Sequence, residues 1–156
     1  VKKKQSCLDG TSESCTENPC RPKVRIQTFG FFDVFVNGKA VLFRSKKAKE
    51  LLALLVDRRG GYVSSNEAIS CLWEDDPVNE KTLSRYRKVA MRLNDTLKEN
   101  EIENIVENID GKRRIVAENI SCDLYDYLSD RDKNGMLFNG NYMLNYSWGE
   151  ITLAGL

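Results

Sequence analysis

The stretch "KTLSRYRKVAMRL", Lys81 to Leu93, decides how the chain is read, because an apolar stripe and a cationic stripe interleave within it. At about 100° per residue, Leu83, Tyr86, Ala90, Leu93 and the following Leu97 gather within roughly 80° of one another. Lys81, Ser84, Arg85, Lys88 and Arg92 gather on the opposite side, and the run from Lys81 to Arg92 holds five cations and no acid. A solvated helix ordinarily mixes signs, since opposite charges at i and i+4 stabilise it by ~0.2–0.5 kcal/mol a pair and like charges oppose it. The spacing therefore predicts a helix anchored by one face and offering the other to an anionic partner. Arg87 lies toward the apolar flank, where pairing with an internal acid and contact with that partner both stay open.

Outward from this helix the signals are local and ordered. After it, "NIVENIDGKRRIVAE" sets Asp110-Gly111 between two apolar-containing runs, a hairpin signal because both turn positions take positive φ. Lys112, Arg113 and Arg114 follow that turn, so the other dense cation run sits on a two-stranded projection. Before the helix, "EDDPVN" is an acidic loop broken by Pro77, and Asn79 is an N-cap for a helix over 80–98. Further upstream, Ser64 and Glu67 stand in capping-box register ahead of Ala68, Ile69, Leu72 and Trp73. Ser45 caps a run with Ala48, Leu51, Leu52 and Leu55 at helical spacing, which Gly60-Gly61 ends. "VRIQTFG" and "FDVFVNG" alternate apolar and polar residues, with Asn37-Gly38 leading into "KAVLF". The expected order is an N-terminal antiparallel sheet, three helices and a β-hairpin, an α+β class.

Length and composition bound the rest. A chain of 156 residues with 41% hydrophobic content buries one core and a small appendage. The net charge is only +1, yet charge is unevenly placed along the chain, so a basic patch exists without a basic protein. No run approaches the ~20 apolar residues of a membrane span, and the opening "VKKKQSCLDGTSES" lacks the apolar core of a signal peptide. A cytoplasmic protein is expected. Residues 1–23 are polar, contain Pro19 and Pro22, and read as a linker or tail. Val at position 1 points to a piece of something longer.

The five cysteines, Cys7, Cys15, Cys20, Cys71 and Cys122, are irregularly spaced and read as free thiols of a reducing compartment, a disulfide or metal role for the first three being the alternative. The chain has no histidine, which removes the commonest general base and metal ligand. No Gly-rich phosphate cradle or metal-ligand spacing is present, and Asp75-Asp76 is an isolated acidic pair. Neither catalysis nor a cofactor is expected.

A helix that fits a major groove beside a basic projection suits duplex DNA. Lys81, Thr82, Ser84 and Arg85, near the N-terminal end, are expected to reach base edges, Arg85 as a bidentate donor to guanine. Lys88 and Arg92 are expected to hold phosphates, and Lys112, Arg113 and Arg114 to meet backbone or minor groove. Single-stranded RNA is a poorer match, because the basic face lacks aromatics for stacking.

These residues resemble a known family. "GFFDVFVNGKAVLFRSKKAKELLALLVDRRGGYVSSNEAISCLWED" followed by "TLSRYRKVAMRLNDTL" is similar to the winged-helix output domain of OmpR-type, and especially SARP-type, bacterial transcription regulators. The resemblance spans about Val24 to Leu128 and rests on many pieces in the right order. It implies a winged helix-turn-helix over 24–123, a recognition helix at 80–98 and a DNA-touching wing at 105–117. It also implies that the loop at 74–79, with Glu74, Asp75 and Asp76, can face RNA polymerase, where a plain solvated turn is the other reading. The polar tail is similar to the linker joining a receiver domain to such an output domain in two-component response regulators. "NGNYMLNYSWGEITLAGL" is similar to the start of the helical domain that follows in SARP-type activators, but much shorter. Residues 124–156 are thus expected as a truncated or minimal helical extension, with Tyr142, Tyr146 and Trp148 buried against the winged helix.

The function expected is sequence-specific binding of double-stranded DNA, as a homodimer or pair on tandem or inverted half-sites. The alternative is a winged-helix protein-interaction module without direct DNA binding.

Overall fold

The computed structural model describes residues 23–156. The readings of the tail before Lys23 and of Cys7, Cys15 and Cys20 lie outside the described residues. Strands β1 (Val24–Gln27), β2 (Asp33–Val36) and β3 (Lys39–Ala40) run antiparallel, with Val24 opposite Val36 and Ile26 opposite Val34. Asn37 and Gly38 take φ of 51° and 85°, the paired positive values that the two-residue turn needs. The period-2 alternation puts Val24, Ile26 and Val34 on the buried face and Arg25 outside.

Three helices follow the sheet in the chain. In α1 (Lys46–Asp57) every residue from Leu51 to Asp57 is buried, so the C-terminal part of this helix is wrapped on all sides while its first turn stays partly open. Its N-cap Ser45 accepts from the amide of Ala48, as expected. Helix α2 (Ser65–Leu72) starts on the expected capping box between Ser64 and Glu67. Helix α3 (Glu80–Glu99) starts on Asn79, whose side chain accepts from the amides of Lys81 and Thr82.

The hairpin follows as β4 (Val106–Ile109) and β5 (Lys112–Ile115), with Asp110 and Gly111 at φ 52° and 80°. It does not project alone. Val63, between α1 and α2, exchanges both backbone hydrogen bonds with Arg113, at 2.7 and 3.0 Å, and so tethers β5 to the helical layer.

The sheet departs from the expected purely antiparallel one. Strand β6 (Ser121–Cys122) lies parallel to β1, giving the order β3-β2-β1-β6. Two residues carry too little pattern to mark a strand, and what secures this one is the next side chain: Asp123 accepts from the amides of Thr28 and Phe29 and from the Thr28 hydroxyl. Burial lifts the Cys122 thiol to about 12, so it is an inert core group.

The C-terminal stretch holds α4 (Asp123–Ser129), α5 (Arg131–Asn134) and α6 (Gly149–Leu153), but it is less helical than expected between Phe138 and Trp148. There the chain runs along the β1–β2 connection, with Phe29 bridged to Tyr142 and Leu144 donating to the carbonyl of Gly30 at 2.9 Å. Phe29, Tyr127, Phe138 and Tyr142 form an aromatic cluster with ring centroids 5.1–6.3 Å apart. Tyr142 is buried, and its hydroxyl donates to the carboxylate of Asp57 at 2.6 Å. Half-buried Tyr146 and Trp148 stack on each other, and the Trp148 indole donates to Glu50. The expected burial holds in full for Tyr142 and only in part for Tyr146 and Trp148, each with a polar partner on α1 or a ring partner. No helix among the described residues is long and apolar enough to cross a membrane.

Candidate nucleic-acid interface

Helix α3 sits on α1 and α2 through Tyr86, Val89, Ala90, Leu93 and Leu97, together with Thr82 and Thr96. The buried arc is therefore centred roughly 40° from the apolar stripe of the sequence, rolled toward Thr82, Val89 and Thr96. These three recur at intervals of seven, one helical stripe, and two of them are threonines that a hydropathy reading passes over. The roll has two consequences. Arg87 and Met91 swing onto the open face, with Met91 56% exposed, and Leu83 is only half-buried.

Thr82 is only 3% exposed and does not reach that face. Its hydroxyl donates to the carbonyl of Pro77 at 2.9 Å and accepts from the Asn79 amide at 2.9 Å, so it closes the capping box of α3. The expectation that it reads bases is corrected by that geometry.

Lys81, Ser84, Arg87, Lys88 and Arg92 are all exposed, and none of the four cations has an ion pair within the described residues. Elsewhere on the surface, Arg44, Lys49 and Arg58 each stand within 4 Å of a carboxylate, as the ion pairs Arg44–Glu99 (3.6 Å), Lys49–Asp33 (3.2 Å) and Arg58–Glu67 (3.1 Å) show. Arg85 differs from its helix neighbours: its Nη1 lies 2.9 Å from Asp76 and its guanidinium stands 5.1 Å from the centre of the Trp73 ring.

The hairpin cations divide by the pleat of β5, because successive side chains leave a strand on opposite faces. Arg113 turns to α3, donating to the Tyr86 hydroxyl at 3.0 Å and stacking 5.3 Å from that ring. Arg114 turns the other way, to Glu107 at 2.5 Å and over the ring of Tyr62. Its hydrogen bond, with a further one from the Tyr62 hydroxyl, holds the Glu107 carboxyl below the usual carboxylate range, and Arg114 is raised in turn. Only Lys112 is exposed and without an ion pair within the described residues. The single three-cation fingertip read from the sequence is thus replaced by one open lysine and two arginines already docked on aromatic rings.

In the loop before α3, Glu74, Asp75 and Asp76 are all exposed, and the Asp76 amide donates to the Trp73 carbonyl at 3.0 Å to close a turn. Glu74 lies 3.5 Å from the Ser147 hydroxyl. No group of three or more metal-ligating side chains gathers among the described residues.

The fold has a solved counterpart. The structure of Mycobacterium tuberculosis EmbR in complex with a low affinity phosphopeptide is similar to this chain, with a TM-score of 0.60 at 20% sequence identity. The likeness covers 70% of this chain and 29% of that one, so the chain spans less than a third of EmbR's length. No family model and no curated protein matches. At that identity the likeness is one of fold, that of a mixed α+β chain with two small sheets and six α-helices among the described residues.

Sequence reasoning missed two residues of the open face, Arg87 and Met91, and two that organise it, Trp73 and Tyr86, which read as core. The signal for the first pair was the Thr82, Val89, Thr96 spacing, which shifts the buried arc. Nothing local marks Trp73 or Tyr86 as partners of arginines that lie 12 and 27 positions along the chain.

Proposed function

We propose that this chain is a winged-helix output module of a bacterial transcription regulator that binds duplex DNA, with α3 in the major groove and the β4–β5 hairpin on backbone or minor groove. The observation that carries the reading is the open face of α3, where Lys81, Arg87, Lys88 and Arg92 lie exposed with no carboxylate within ion-pair distance among the described residues. Uncompensated cations on a rigid, well-anchored helix repel one another in water, and a phosphate backbone relieves that repulsion while releasing counterions.

The proposal divides the chain at about residue 123, the winged helix before it and a C-terminal extension packed on it. Roles follow position: Lys81, Ser84 and Arg85 toward base edges, Lys88 and Arg92 toward phosphates, Lys112 toward the backbone beside the groove. The fold likeness to EmbR supports the SARP-type arrangement rather than any particular ligand. The acidic loop, chiefly Glu74 and Asp75, is offered to RNA polymerase, the module pairs on tandem or inverted half-sites, and it works in the cytoplasm. An upstream receiver domain with two-component input belongs to the same proposal.

The test is a titration of duplexes by two variants. Arg85→Ala should lose ~1–3 kcal/mol at a preferred duplex and relax the sequence preference, while Lys88→Ala should weaken all duplexes alike. If both variants bind every duplex like the parent, the DNA reading fails and the basic face is left for an acidic protein partner.

A further inference from the structure

Resting on the DNA-binding reading above, we propose that Asp76 and Trp73 are positioning residues that set the sequence preference of α3 by holding Arg85. Among the five cations between Lys81 and Arg92, Arg85 is the one with a carboxylate partner within the described residues, and both of its partners come from outside the helix. Asp76 takes Nη1 at 2.9 Å and the Trp73 ring underlies the guanidinium at 5.1 Å, so one donor and one face are engaged. The Nε and Nη2 donors make no hydrogen bond within the described residues.

Both holders are themselves held. Trp73 caps α2 through its amide, 2.9 Å from the Ile69 carbonyl, and Lys47 stands 5.8 Å from the same ring while donating to the Leu72 carbonyl. The loop carrying Asp76 is pinned at one end by the turn onto Trp73 and at the other by the Thr82 hydroxyl on Pro77. The anchors therefore move with the body of the protein rather than with the arginine.

Stability does not account for this pair. The Arg85 and Asp76 side chains are 42% and 44% exposed, and exposed ion pairs contribute little. The consequence is orientation and charge. Reading guanine through O6 and N7 needs two donors in one plane, and an arginine already stacked and tethered surrenders less rotamer freedom on meeting a base. The neighbouring carboxylate also cancels part of the charge that Arg85 would otherwise offer to any phosphate, which suppresses binding that ignores sequence. Asp76 thus works in opposite directions on the two kinds of binding.

The experiment uses the full chain, with two probes: the duplex that the parent enriches from a randomised pool, and the unselected pool itself. For Asp76→Asn the ratio of affinities between enriched duplex and pool should fall by roughly threefold or more, with binding to the pool equal to or tighter than the parent's. Asp76→Glu should restore most of the ratio, and in an Arg85→Ala background Asp76→Asn should leave the ratio unchanged. A plain acidic surface loop would move neither ratio nor rescue. A change in ratio smaller than about threefold, or a proportional loss on both probes, overturns the proposal. If the parent enriches no duplex and does not bind the pool, the DNA-binding reading itself has failed and this inference falls with it.

Discussion

The Tyr86 hydroxyl of α3 accepts a hydrogen bond from Nη1 of Arg113 on β5 at 3.0 Å, with the Arg113 guanidinium 5.3 Å from the Tyr86 ring. The core side of α3 and the hairpin are therefore linked through this residue pair, inside the protein. Tyr86→Phe keeps the ring and removes the hydroxyl. It should cost ~0.5–1.5 kcal/mol in thermal or denaturant unfolding. Amide exchange at Val63 and Arg113 should stay slow, because their mutual backbone bonds do not involve Tyr86. Loss of protection at those amides would show that the hairpin hangs on the tyrosine alone.

A second hydroxyl has a heavier role. Tyr142 donates at 2.6 Å to Asp57, which is 7% exposed, and the nearest cation to that carboxylate is Arg58 Nε at 3.6 Å. Tyr142→Phe leaves a buried carboxylate oxygen short of a donor, a loss of ~1–3 kcal/mol. The decrease should exceed that of Tyr86→Phe. Equal melting temperatures for the Tyr142→Phe variant and the parent would mean that the C-terminal stretch adds nothing to the core.

Tyr125, Tyr142 and Tyr146 are all raised above the ordinary phenol range, in each case mainly by burial, with the carboxylate of Asp57 adding to the first two and that of Glu50 to the third. A raised folded-state value means that the neutral phenol is favoured by folding. That stability is complete below the ordinary tyrosine value of about 10 and is lost as pH rises through the folded-state values. Alkaline titration followed by the phenolate absorbance should show these three ionising together with unfolding. Ionisation of these three with the fold intact would contradict their burial.

How much of this was legible follows from where each signal lives. Caps and turns are written within four residues, so Ser45, Ser64 with Glu67, Asn79, Asn37-Gly38 and Asp110-Gly111 were readable and occur as read. The α3 face was readable to within a roll of the helix, because periodicity weighs apolar residues and not Thr82 or Thr96. Strand β6 was not readable: two residues gain a place in the sheet only when Asp123 reaches Thr28, 95 positions away. The partners of Arg85, Arg113 and Arg114 were equally invisible, since a cation run looks the same in sequence whether it faces water, an aromatic ring or a phosphate.

The central claim is that the open cations of α3 meet phosphates, and a salt series on unselected duplex DNA tests it most directly. The logarithm of affinity should fall linearly with the logarithm of salt concentration, and Lys88→Ala or Arg92→Ala should each make that slope shallower by about 0.9. Binding to duplex that does not weaken with salt, or slopes for both variants equal to the parent's, would contradict it.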